Sequence, residues 1–159
     1  MDSIAYQIVK PSDKKLIELI ANWYFKEWKI DTEKTIQRLS DFPIDGLPFQ
    51  VIMKLNDIPI ATGGIYHHVG LLDIEPRFKS LGPWLALVFT TNENRNKGYG
   101  ALLCESIHKI SKEHGFNEIF LFTHTAESLY KRLGWEQLER INLQDKDIAI
   151  MKKGHGIHC

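Results

Sequence analysis

The chain is poor in the features that commit a protein to a membrane, to secretion or to a polyanionic partner. It has only two cysteines among 159 residues. Cys104 falls in a helical pattern and Cys159 is the last residue, so no disulfide framework is implied. No apolar run approaches the roughly 20 residues of a membrane-spanning helix. The opening Met1-Asp2-Ser3-Ile4 lacks the basic start and apolar stretch of a secretory signal, and a cytoplasmic location is the default expectation. Neither sign of charge predominates, with 20 Lys+Arg against 20 Asp+Glu. Nucleic acid and anionic membranes are therefore not the expected partners, since both favour a basic excess. Repeats, low-complexity tracts and Pro/Gly/Ser-rich linkers are also missing. What remains is an ordinary globular composition, 43% hydrophobic and 25% charged, which excludes wholesale disorder. We expect one domain over residues 1–153 and a tail over 154–159. The closing His155-Gly156-Ile157-His158-Cys159 reads as a frayed end, and no metal is expected there or elsewhere.

The apolar periodicity changes along the chain. Ile4 to Val9 reads as a strand. Pro11-Ser12-Asp13 reads as a helix start with Ser12 as the capping side chain, followed by Leu16, Ile20, Trp23 and Tyr24 at helical spacing. A short second helix begins near Asp31 and is closed by Pro43, Gly46 and Pro48. Alternation then takes over in residues 49–55, Asn56-Asp57 supplies a two-residue turn, and Ile58 to Tyr66 returns antiparallel, with a bulge expected at Gly63-Gly64. Residues 67–83 read as a loop. Trp84 to Thr90 reads as a buried strand, a helix runs from Gly98-Tyr99-Gly100 to Gly115, and Glu118 to Thr123 is a strand. A short helix ends at Gly134, and strands at 135–141 and 147–152 close the chain. The order is β-α-α-β-β-β-α-β-α-β-β, an α/β mixture of the α+β type with a mostly antiparallel first half.

One segment carries chemistry. After the apolar strand comes Arg95-Asn96-Lys97-Gly98-Tyr99-Gly100, which opens the long helix. A helix start leaves several backbone N–H groups without partners and carries a partial positive charge, so it suits a phosphate. Glycines at 98 and 100 permit positive φ and a close approach of an anion to the backbone, and Arg95 and Lys97 add charge. The segment has neither the Gly-Lys-Ser/Thr of a P-loop nor the first glycine of a Rossmann turn.

Arg-x-x-Gly-x-Gly after an apolar strand resembles the acyl-CoA binding signature of the GNAT superfamily of N-acetyltransferases. Downstream, Ala126-Glu127-Ser128-Leu129-Tyr130-Lys131-Arg132-Leu133-Gly134-Trp135 resembles that superfamily's second motif, an Ala and a Tyr four residues apart on a short helix ending in Gly-Phe or Gly-Trp. The element order matches as well, so the resemblance covers residues 3–153. It implies a central, mostly antiparallel sheet of about seven strands flanked by about four helices, with strands 84–90 and 118–123 splayed into a V. It implies acetyl-CoA as co-substrate, its pantetheine pairing with the backbone of Val88, Phe89 and Thr90 and held further by Thr123. Its pyrophosphate would meet the amides of Arg95, Asn96, Lys97, Gly98, Tyr99, Gly100 and Ala101. Tyr130 would be the general acid that protonates the departing thiolate. Two positions depart from the pattern: Asn96 stands where many relatives have Gly, and Thr123 where many have Asn. Asn tolerates a left-handed backbone, and a hydroxyl replaces one of the two amide contacts.

An attacking amine has to lose a proton, so a base or a water path is needed. Many relatives carry a carboxylate on the strand before the phosphate turn, and strand 84–90 has none. His67, His68, Asp73, Glu75 and His124 are the candidates, with His124 preferred because it adjoins the motif of Tyr130. The resemblance implies an acceptor site walled by the first two helices and the loop before the central strand, near Glu27, Trp28, Asp73 and Glu75. The expected activity is transfer of an acetyl group to a primary amine of a small molecule or peptide in a direct ternary complex. The alternative is a non-catalytic acyl-CoA sensor. A homodimer and the identity of the base stay open.

Overall fold

The computed structural model describes residues 2–154. The terminal His155–Cys159 segment lies outside the described residues. Seven strands and five α-helices follow in the order β1 (Ile4–Ile8), α1 (Lys14–Trp28), α2 (Thr32–Ser40), β2 (Phe49–Leu55), β3 (Ile58–Tyr66), α3 (Leu71–Ile74), β4 (Trp84–Thr90), α4 (Tyr99–Glu113), β5 (Glu118–Thr123), α5 (Glu127–Arg132), β6 (Glu136–Leu143) and β7 (Lys146–Gly154). The strands form one sheet in the order β1-β2-β3-β4-β5-β7-β6. Every adjacent pairing with a described register is antiparallel except β4 with β5, which is parallel. Among the described residues that parallel register consists of Trp84 opposite Phe120 alone. No described helix is long and apolar enough to cross a membrane.

The chain divides into two compact units, one made of residues up to 65 together with 87–107, the other of 66–86 together with the residues from 108 on. In the first, Ile17, Ile20, Ala21 and Tyr24 form the buried stripe of α1. They meet the helical spacing predicted for this segment, with the stripe rotated so that Leu16 and Trp23 are only half-buried. β2 is buried along most of its length, Gln50 included. An inner strand covered on both faces has no solvent side, so the polar positions of the alternation must find partners inside. In the second unit the core comprises Leu71, Phe78, Trp84, Ile119, Phe120, Leu121 and the Ile148–Met151 run of β7.

Four local expectations change. Asp13, not Ser12, occupies the N-cap of α1, and its carboxylate accepts from the Lys10 backbone N–H at 2.8 Å instead of capping the helix. The irregularity between β2 and β3 lies at Met53/Lys54 and not at Gly63-Gly64. Gly63 answers a packing need, since a Cβ there would stand 3.1 Å from Ile107 Cδ1 and 3.2 Å from Val88 Cγ2. Residues 67–83 are not simply a loop, because Leu71 and Leu72 bury one face of α3 and Phe78 anchors a 3₁₀ turn over Pro76–Ser80. In β4 only Trp84 and Leu85 are buried, and the remainder is half-buried.

α2 starts as its sequence requires. The Asp31 carboxylate accepts the Glu33 backbone N–H at 3.2 Å, satisfying one of the amides that a helix start leaves open. Asp31→Ala is expected to cost about 1 kcal/mol, a drop in Tm of roughly 2–4 °C for a chain of this size, readable by calorimetry. An unchanged Tm would show that this cap contributes nothing.

Candidate functional site

The middle of β4 is irregular. Leu87 has φ 58, a left-handed backbone that a bulky side chain adopts at a cost of about 1–2 kcal/mol. A buried polar chain supports it. The Tyr24 hydroxyl donates to the Leu87 carbonyl at 2.6 Å. Gln50 Nε2 donates to Tyr24 Oη and to Thr62 Oγ1, each at 2.8 Å. Thr62 Oγ1 in turn donates to the Val51 carbonyl at 2.8 Å. Tyr24, Gln50 and Thr62 are essentially inaccessible to solvent, so each bond replaces one that water would have made.

Beyond Thr90 the chain makes a 3₁₀ turn over Asn92–Asn94 and then passes through Asn96 at φ 62 and Gly98 at φ 85. Asn96 takes the left-handed conformation expected of it. Gly98 needs its glycine for the φ value, and the space where a Cβ would stand is open. Gly100 does not share this property: it lies in the first turn of α4 without a positive φ, and a Cβ there would make only ordinary contact with Thr90 Oγ1 at 3.8 Å. The amides of Tyr99, Gly100 and Ala101 lead α4 and have no acceptor within its helical ladder, while Leu102 N–H already bonds Gly98 O at 3.2 Å. An exposed, left-handed turn leading into a 15-residue helix is a fitting cradle for an anionic group.

Arg95 is held rather than free. Its Nε donates to the Thr90 carbonyl at 2.8 Å, its guanidinium pairs with Glu27 Oε2, and it lies 5.5 Å from the centre of the Phe89 ring. Phe89 also packs on Trp23 at 5.3 Å and on Trp28 at 6.3 Å between ring centres. Trp23 and Phe89 border a cavity of about 260 Å³ lined also by Lys26, Glu27, Thr91, Asn92 and Glu93. Val88 turns instead toward Gly63. Trp23 was visible in the sequence only as a member of an apolar helical face, which gave no hint that it lines a cavity.

The second unit holds the other candidates. Tyr130, on α5, sets its ring against Trp135 at 5.6 Å and 66°. The Thr123 hydroxyl accepts the Ala126 backbone N–H at 3.0 Å, closing the turn into α5 and leaving its own hydrogen to donate. His124 Nδ1 lies 3.1 Å from the Asp147 carbonyl. A carbonyl can only accept, so the neutral ring carries its proton on Nδ1 and leaves Nε2 as the accepting nitrogen. Asp73 pairs with His68 at 3.1 Å and Glu75 with Arg77 at 3.6 Å, all near the surface. His67 lines a separate cavity of about 270 Å³ with Lys79, Gly82, Pro83 and Phe116. Glu27 and Trp28 thus belong to one unit, and Asp73, Glu75, His124 and Tyr130 to the other.

Arg140 fastens α5 to the β6–β7 hairpin. Its NH1 donates to both Glu127 oxygens at 2.7 Å, and its NH2 donates to Asp147 Oδ2 at 2.6 Å. The hydrogen bond from Arg140 holds the Asp147 and Glu127 carboxyls below their ordinary values, with Lys131 adding to the effect on Glu127. Glu139 is lowered in the same way by its hydrogen bond from Arg77. Among the described residues no group of three or more His, Cys, Asp or Glu side chains is placed to hold a metal ion.

Comparison with known proteins gives these features a context. The model of the acetyltransferase (GNAT) family matches residues 14–135. An uncharacterized N-acetyltransferase of Chlorobaculum tepidum is 40% identical over 48 residues, which is 30% of this chain and 30% of that relative's length. A GNAT-family acetyltransferase structure from Streptococcus pneumoniae superposes with a TM-score of 0.69 at 16% identity, covering 97% of this chain and 100% of the other. An aminoglycoside 6'-N-acetyltransferase solved with coenzyme A superposes with a TM-score of 0.73 at 14% identity, covering 94% and 96%. At these identities the structures speak for a shared fold.

The Arg140 clamp has a pH signature. Carboxyls whose folded values are depressed contribute stability above their unfolded values, ordinarily 3.8 for Asp147 and 4.5 for Glu127. That contribution is lost as pH falls through the lower, folded values. Arg140→Gln should therefore lower Tm at pH 7, with the difference shrinking as pH falls below the unfolded values and the parent's carboxyls begin to take up protons. A Tm difference that stays constant from pH 7 to 3 would refute the charge origin of the clamp.

Proposed function

The chain belongs to the acetyltransferase (GNAT) family and is thus an acyltransferase, and from that premise we propose that it moves the acetyl group of acetyl-CoA to a primary amine of a small molecule or peptide by direct transfer in a ternary complex. The observation that carries this reading is the left-handed turn at Asn96 and Gly98, open above Gly98 and leading into α4. In this reading the amides of residues 95–101 and the side chain of Lys97 take the pyrophosphate, and the backbone of Val88, Phe89 and Thr90 takes the pantetheine. Thr123 adds a hydroxyl donor. Acetyl-CoA supplies an activated thioester, whose carbonyl carbon forms the new C–N bond as the C–S bond breaks.

The remaining work falls to protein groups. The Tyr130 hydroxyl gives its proton to the departing sulfur, where an unpaired negative charge in a partly dry site is costly. His124, with Nε2 as its accepting nitrogen, takes the proton of the attacking amine, directly or through water. Asp73 and Glu75 are the other carboxyl candidates for that task. Glu27 and Trp28 belong to the acceptor side, Glu27 lining the cavity and Trp28 packing on Phe89, which lines it too. A non-catalytic acyl-CoA sensor is the second reading, favoured by the lack of any carboxylate along Trp84–Thr90. Release of free thiol from acetyl-CoA with a mixed panel of amines separates the two. Turnover with one amine class supports the enzyme, and tight CoA binding without turnover supports the sensor.

Two variants address the parts. Gly98→Val places a β-branched residue at φ 85 and fills the open space above the turn. Acetyl-CoA affinity should fall at least about tenfold, on the order of 1.4 kcal/mol. Calorimetric titration with unchanged affinity in a folded variant would remove this turn from the site. Tyr130→Phe keeps the ring against Trp135 and deletes only the donor. It should lower kcat by roughly 10²-fold with little change in acetyl-CoA affinity. A kcat within about twofold of the parent would take Tyr130 out of the mechanism.

A further inference from the structure

We infer that Tyr24 is a positioning residue for the acyl-pantetheine arm, acting through its hydrogen bond to the Leu87 carbonyl; this rests on the reading that acetyl-CoA lies along Val88–Thr90. The peptide between Leu87 and Val88 is planar and trans, so fixing the direction of its C=O fixes the opposite direction for the Val88 N–H. Tyr24 Oη supplies that fixing bond at 2.6 Å from within the core. Leu87 at φ 58 also breaks the regular alternation of β4 immediately before the segment concerned. Past it, Val88 lies near Gly63, and Phe89 lies between Trp23 and Trp28. The facing of both side chains, and of the backbone groups between them, follows from how the peptide at Leu87 is turned.

The support is itself supported. Gln50 Nε2 donates to Tyr24 Oη, so the hydroxyl hydrogen is directed at Leu87 and the oxygen lone pair at Gln50. Gln50 is anchored in turn by Thr62, whose hydroxyl is committed to the Val51 carbonyl. A tyrosine needed only to fill volume would not require an amide, a second hydroxyl and two carbonyls arranged in series around its oxygen. Packing alone is provided by the ring, which lies tilted against Trp28 at 5.4 Å between centres. The series of donors ends on the one peptide of β4 that departs from strand geometry. That is the arrangement of a device for orienting a backbone.

The test uses the whole chain, acetyl-CoA, and adenosine 3'-phosphate 5'-diphosphate, the part of CoA that carries the phosphates but no pantetheine. Tyr24→Phe retains the ring and removes the bond to Leu87. We expect acetyl-CoA affinity to fall about tenfold while affinity for the nucleotide fragment stays within about twofold. The double variant Tyr24→Phe/Gln50→Leu also removes the amide that donated to the Tyr24 hydroxyl. It should recover part of the melting temperature, the Leu87 carbonyl still lacking its donor, and none of the acetyl-CoA affinity. Equal losses for both ligands, no loss for acetyl-CoA, or recovery of acetyl-CoA affinity together with melting temperature in the double variant would each overturn the inference. A parent protein that binds neither ligand would instead overturn the acetyl-CoA reading, and the inference with it.

Discussion

The bond from the Tyr24 hydroxyl to the Leu87 carbonyl is the constraint on which the site end of the first unit depends. It lies where α1, β2, β3 and β4 each contribute one group, as Tyr24, Gln50, Thr62 and Leu87. Without it the half-buried carbonyl of a left-handed residue would lose its Tyr24 donor, a loss that costs up to about 1–3 kcal/mol where water cannot take its place. The chain could then regain a regular strand only by moving the residues that follow. Those residues carry the aromatic contacts of Phe89 and the carbonyl of Thr90 that receives Arg95. The turn into α4 is thus fastened to a strand whose irregularity is itself fastened to the core.

Arg95 shows how one residue type serves two ends. Its charge sits naturally beside the turn proposed for the phosphates, yet in this structure its Nε and one terminal nitrogen are given to Thr90 and Glu27. A guanidinium keeps further donors after bracing the turn, in a planar fork that a lysine lacks. In the proposed reading Lys97 and the backbone amides supply most of the attraction, and Arg95 supplies shape as well. The pairing also means that Glu27, close to the proposed anion site, has its charge already matched.

Much of the fold was legible because its signals were local. The switch from helical spacing to alternation at Phe49, the Asn56-Asp57 turn, and the apolar runs at Trp84 and Glu118 each name an element within a few residues, and the two glycine-bearing motifs point to the family. What was not legible depended on partners distant in sequence. Gln50 reads as the polar side of an alternating strand, and nothing nearby says that Tyr24 and Thr62 await it inside. Leu87 looks like any leucine in a strand, because its left-handed backbone follows from a hydroxyl 63 residues away. Gly63 looked like a bulge residue but answers the close approach of Ile107 and Val88. In the candidate site, Asn96 and Gly98 were readable from conformational preference alone. The commitment of Arg95 to Glu27, and of Thr123 to the start of α5, was not, since spacing in sequence does not reveal which acceptor a side chain meets first.

The division into two units has a consequence for how the protein comes to exist. Neither unit is a continuous stretch of chain: the first takes residues up to 65 and then 87–107, and the second takes the segment between them and everything after. During synthesis, the residues up to 65 must therefore wait, with Gln50 and Thr62 already made but the carbonyl of Leu87 not yet present. Closure of the first unit demands that a 21-residue segment belonging to the other be spanned, and loop closure of that length is a modest entropic cost rather than a prohibitive one. The polar core that sets the end of β4 is in this sense a late event in the life of the nascent chain, completed only when its most distant contributor emerges.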